Sequence, residues 1–159
     1  MLVEVKVGAL IMDPNSNNPI VVLKGVDNEA VLPIWVGAYE ANAIALEIEK
    51  IVPQRPMTHD LLRNFIVETG YQVRKVTVSD LLENTFYAVI ELADKNNQTV
   101  SLDARPSDAI ALALRTDCPI FVAQKVLDIS NSSASQTQAE TELEENIKSN
   151  ADEWPDLIG

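Results

Sequence analysis

Ala109-Ile110-Ala111-Leu112 repeats the phrase Ala43-Ile44-Ala45-Leu46 at an offset of 66 residues. The same offset lays Leu32-Pro33-Ile34-Trp35-Val36 over Gln98-Thr99-Val100-Ser101-Leu102, and Ile20-Val21-Val22-Leu23 over Phe86-Tyr87-Ala88-Val89. Few residues are identical, but the apolar pattern carries over and the three blocks share one offset without an insertion. The chain therefore reads as a duplicated structural unit. The expected unit is β-β-β-α-α, which gives an α+β fold of mixed or antiparallel sheets with helices, in repeat units of about 1–70 and 71–130.

Around the first copy, Val3, Val5 and Val7 alternate with Glu4 and Lys6, the period-two signature of a half-buried strand running toward Met12. After a turn rich in Asn and Pro, strands are expected at 20–24 and 31–36, joined by the hairpin-like Gly25-Val26-Asp27-Asn28. Past Gly37 the period becomes helical. Ala41, Ile44, Ala45, Ile48 and Val52 share one face, so 38–51 reads as an amphipathic helix that Pro53 ends. Thr58 is placed as the N-cap of a second helix carrying Leu61, Leu62, Phe65 and Ile66 to a stop at Gly70. The second unit is expected to hold strands at 71–80, 84–93 and 98–103, with Phe86, Ala88, Ile90 and Leu92 facing inward. A helix at 106–115, a short strand at 119–122 and a last helical turn at 124–129 complete it.

The chain has 159 residues, 47% of them hydrophobic, enough for one domain with a real core and length to spare. The single cysteine, Cys118, excludes an internal disulfide framework and is expected to be a small buried hydrophobe. Glu4 and Lys6 interrupt any signal-peptide pattern, and no run is long enough to span a membrane, so a cytoplasmic protein is expected. The net charge of −12 divides evenly: residues 131–159 hold seven acids and one base, Lys148, and residues 1–130 carry the other half. An acidic domain is not the footprint of a protein that grips phosphate backbones, so nucleic-acid binding is expected to be weak. Beyond Ser130 the composition turns polar and acidic and reads as a mobile tail, with a stretch at 139–148 able to form a transient helix. Trp154, Leu157 and Ile158 form a candidate motif for docking a protein partner.

Polar residues suited to chemistry gather at two junctions, Arg55-Pro56-Met57-Thr58-His59-Asp60 and Asp103-Ala104-Arg105-Pro106-Ser107-Asp108. Helix capping alone accounts for much of each: a hydroxyl residue at the cap, Pro106 at the first helical position, and Asp60 and Asp108 opposing the helix dipole. Asp103 and Arg105 do not fit that account. Two apart on an extended chain, they are expected to face one side, as an ion pair or a polar site, whereas Gly37 and Tyr39 stand at the equivalent positions of the first unit. Hard cations such as magnesium or manganese take oxygen ligands, and Asp103, Asp108, Asp60 and Glu40 are eligible to hold one. His59, the only histidine, adds an imidazole acid or base. There is no phosphate-cradling glycine loop, CxxC, HExxH or GxSxG.

These motifs, together with Leu32-Pro33-Ile34-Trp35-Val36-Gly37 and the run Ala109 to Arg115, resemble the bifunctional nuclease domain family over about residues 1–130. The resemblance implies a nuclease acting on RNA and DNA. Its shared polar set falls on Glu40, Arg55, Thr58, His59, Asp60, Asp103, Arg105, Ser107 and Asp108. In the catalytic reading, Asp103 and Asp108 hold a divalent cation, Arg105 and Arg55 offset phosphate charge, and His59 protonates the leaving oxygen, with Asp60 beside them. Glu40, Thr58 and Ser107 then contact substrate. The alternative is a non-catalytic binding module that docks to a protein partner partly through its tail. A homo-oligomer is expected in either case, because a sheet of two such units leaves an edge to cover.

Overall fold

In the computed structural model the elements follow in the order β1 (Leu2–Met12), β2 (Pro19–Gly25), β3 (Val31–Trp35), α1 (Ala38–Ile48), α2 (Thr58–Glu68), β4 (Tyr71–Leu82), β5 (Thr85–Asp94), β6 (Thr99–Ala104), α3 (Pro106–Thr116), β7 (Ile120–Ala123) and α4 (Gln124–Ala134). The structure describes residues 1–134; the 139–148 stretch and the docking motif Trp154, Leu157 and Ile158 lie outside the described residues. All seven strands form one mixed sheet of order β3-β2-β1-β7-β4-β5-β6. Each half supplies an antiparallel meander, and β7 bridges the two, antiparallel to β1 and parallel to β4. The strand expected at 119–122 starts one residue later, because Pro119 has no N–H; its carbonyl instead accepts from Val76 N–H at 3.2 Å.

Register partners follow one another across the sheet and fix its two faces, since paired residues project to the same side. Val5, Ile120, Val76, Ile90 and Leu102 form one such row, and the first four are buried in the main core. Glu4, Phe121, Thr77, Val89 and Asp103 form the neighbouring row on the opposite face. There Lys75 lies 3.9 Å from Glu91 and 5.7 Å from the Phe121 ring. A smaller cluster of Ala9, Ile11, Ile20 and Val22 fills the other face under β1 and β2, which is why β2 is buried on both sides.

The repeated phrase meets itself on the core face. Helices α1 and α3 pack together, and Ala41, Ala45, Ala109 and Ala113 are all buried, so small side chains let the two backbones approach. Helix α1 stops at Ile48, earlier than Pro53 requires. Lys50 takes a left-handed conformation at φ 56, and Ile51 N–H reaches Leu46 C=O at 2.9 Å, a Schellman closure. Helix α2 stops at Gly70, whose φ of 90 suits only glycine. At the other end α4 runs past the boundary expected at 130. Ser132 and Ser133 hydroxyls donate back to the Asp128 and Ile129 carbonyls at 2.7 and 3.0 Å, so serines that read as a linker sit on the helix. Cys118 is half-buried, and burial pushes its thiol pKa up.

Candidate active site

The N-terminal turns of α1, α2 and α3 bring four polar side chains into one line. Arg105, the N-cap residue of α3, places Nη1 3.0 Å from Glu40 Oε1 in the first turn of α1. Its Nε–H donates to Asp108 Oδ2 at 2.9 Å. Asp108 Oδ1 lies 2.8 Å from His59 Nε2, the second residue of α2. The order is thus Glu40, Arg105, Asp108, His59. Arg105 is 65% exposed and keeps donors facing solvent, while the His59 side chain is only 14% exposed.

Charge sets the protonation of this line. Burial tends to raise the Asp108 pKa, but the hydrogen bonds from Arg105 and His59 and the positive charge of Arg105 outweigh it and hold the carboxyl below its ordinary value. The two carboxylates hold Arg105 above the ordinary guanidinium value, Asp108 through its hydrogen bond most of all. An ionised Asp108 can only accept, so the proton between it and His59 sits on Nε2, and Nδ1 is the ring nitrogen left uncommitted by this bond.

Gly37, the N-cap residue of α1, is required by the same line. A β carbon there would collide with the Glu40 carboxylate, so the absent side chain gives Glu40 its place opposite Arg105.

Asp103 is not part of the line. Its register partner is Val89, on the face of the sheet away from the helices, and Asp103 is exposed there. The expected Asp103–Arg105 pair does not form, because the chain leaves the strand at Ala104 and turns into α3, carrying Arg105 to the helix side. Thr58 is also not the cap of α2. Leu61 N–H bonds Met57 C=O at 2.8 Å, so Met57 is the N-cap, Thr58 is the exposed first helical residue, and Asp60 Oδ2 accepts from Met57 N–H at 2.9 Å. Ser107 is buried in the first turn of α3, and Arg55 is exposed on the loop before α2.

Asp60 faces inward, to a residue the sequence did not single out. Arg115, with a side chain 2% exposed, donates from Nε to Asp60 Oδ1 at 2.8 Å, and to the carbonyls of Ala111 at 2.8 Å and Ala43 at 3.0 Å. It joins α1, α2 and α3. Burial works to raise the Asp60 pKa, and the Met57 N–H, Arg115 and Arg63 outweigh it, leaving the carboxyl below its ordinary value. The signal was present: Arg115 falls four residues after Ala111 and three after Leu112, on the apolar stripe of its helix.

A divalent cation needs convergent oxygens with free lone pairs. Among the described residues no three His, Cys, Asp or Glu side chains converge. Asp103 stands on the other face, both Asp108 oxygens are engaged, and a guanidinium separates Asp108 from Glu40. The two carboxylates of the line are therefore committed to Arg105 and His59.

Residues 21–135 match the bifunctional nuclease domain as a family. An uncharacterized protein of Mycobacterium tuberculosis is 42% identical over 78% of this chain and 73% of its own length. Bifunctional nuclease 1 of Oryza sativa subsp. indica is 31% identical over 67% of this chain, and Bifunctional nuclease 1 of Arabidopsis thaliana 32% over 66%; the chain spans 33% of the length of each. Among the described residues no helix is long and apolar enough to cross a membrane. The matched segment covers the line from Glu40 to Asp108 and every helix that holds it, and on that match the chain belongs to the bifunctional nuclease domain family.

Proposed function

We propose that the chain hydrolyses phosphodiester bonds of RNA or DNA at the line Glu40, Arg105, Asp108 and His59. The observation that carries the reading is the 2.8 Å bond between His59 and an Asp108 carboxylate that also holds an exposed Arg105. It places an acid-base imidazole and an anion-binding guanidinium on one carboxylate. The names of the plant relatives support the same chemistry. A water attacks phosphorus while its proton passes to His59 Nδ1; the P–O bond to the leaving sugar oxygen breaks, and the proton is returned to that oxygen. Arg105 offers its uncommitted N–H donors to the non-bridging oxygens, where charge accumulates. Glu40 and Asp108 fix its plane, and Asp108 keeps the His59 tautomer that leaves Nδ1 reactive. No step is routed through a cation. The two β-β-β-α halves, each with its copy of Ala-Ile-Ala-Leu on the core helix, also support the reading of a duplicated unit.

The test is cleavage of labelled RNA and DNA oligonucleotides by protein purified to constant specific activity, in excess chelator. Activity should persist in chelator, fall about 10²–10⁴-fold in His59→Ala, and remain near that of the parent in Asp103→Ala. Activity equal in His59→Ala, Asp108→Asn and the parent would mean a contaminant, and would leave the binding-module reading in its place.

A further inference from the structure

We propose that Tyr39 is the surface on which a nucleobase of the bound strand stacks beside the active line, an inference that rests on the nuclease reading above. Tyr39 occupies the first turn of α1, immediately before Glu40, and is 90% exposed. Tyr39 is bonded directly to Glu40, whose carboxylate meets Arg105, and at 90% exposure its ring is open to solvent and to a base. At the other end of the line, Met57 and Leu61 are exposed on either side of His59 in sequence. The segments that carry both ends of the line thus expose apolar side chains, and Tyr39 is the aromatic one.

Charge makes such a margin necessary. The line contains two carboxylates to one guanidinium, and residues 1–134 hold eleven Lys and Arg against seventeen Asp and Glu. Phosphate attraction supplies most of the affinity in ordinary nucleic-acid binders, through an excess of Lys and Arg over acids that this chain does not have. Stacking needs no net charge and is tolerant of sequence, because every base has a π face. It also selects strands whose bases are free to leave their neighbours, so the bound segment is unpaired at the position that meets Tyr39.

The experiment measures binding of a fluorescent, cleavage-resistant phosphorothioate oligonucleotide to the full chain. Tyr39→Ala should weaken binding by about five- to hundredfold, while Tyr39→Phe and Tyr39→Trp keep it. Replacing single bases by abasic linkers should weaken the parent at one position and leave Tyr39→Ala insensitive there. With a cleavable substrate, KM should rise and kcat at saturation stay unchanged. Binding equal in Tyr39→Ala and the parent overturns the stacking role, and a changed sedimentation mass with unchanged binding would assign Tyr39 to a contact between copies of the chain. Parent protein that cleaves and binds while Tyr39→Ala does the same refutes this inference alone; parent protein that binds no oligonucleotide refutes the nuclease reading with it.

Discussion

Arg115 spends its guanidinium on two backbone carbonyls and one carboxylate in the interior, where an unpaired charge is costly. Removing it strands Asp60, so Arg115→Ala should cost about 3–5 kcal/mol, read as a lower urea midpoint. Asp60 and Asp108 both sit below the ordinary carboxyl value, so their contribution to stability is fully present above the unfolded Asp pKa, about 3.9, and is lost as pH falls through the lower folded values. The expected outcome is that the stability gap between the parent and Asp60→Asn, wide at neutral pH, closes as the pH is taken below about 4. At Gly37 the effect should be functional. A β carbon there displaces only the flexible end of Glu40, so Gly37→Ala should change the melting temperature by a few degrees at most while lowering cleavage to the level of Glu40→Ala.

At the scale of elements, the α1–α3 contact controls the separation of Glu40 from Arg105. Ala41 and Ala109 are buried on these two packed helices, one residue after Glu40 and one turn after Arg105. Leucine at position 109 inserts volume that the core cannot absorb. Ala109→Leu should cost about 1–3 kcal/mol and reduce cleavage further than its loss of stability explains, checked by assaying well below its melting temperature. The helices and strands themselves were legible because their signals are local. Ala88, Ile90 and Leu92 are buried in β5 as their alternation with Tyr87, Val89 and Glu91 requires, and α3 begins at Pro106 as its fixed φ favours. Element ends were less legible. Met57 caps α2 in place of Thr58, and Lys50 ends α1 ahead of Pro53, because a carboxylate three residues on and a left-handed turn did the work expected of a hydroxyl and a proline.

For the whole molecule, acidity predicts how substrate is held. If one or two phosphates meet Arg105 and Arg55, the logarithm of the binding constant should fall with the logarithm of salt concentration at a slope of about −1, whereas a basic nuclease would show several times that. A titration from low to physiological salt measures it. The amino-acid sequence by itself determined the elements, the phrase Ala-Ile-Ala-Leu carried by two core helices, and the polar set from which the site is drawn, since periodicity, capping and family motifs are properties of neighbouring residues. Only the tertiary structure decided that β7 joins the two meanders into one sheet, that Asp103 and Arg105 part company, and that Asp60 turns inward to Arg115. The reason is physical: which side of a sheet a carboxylate occupies is set by the pairing register of distant strands, and which cation it meets is set by helices packed 55 residues apart in the chain.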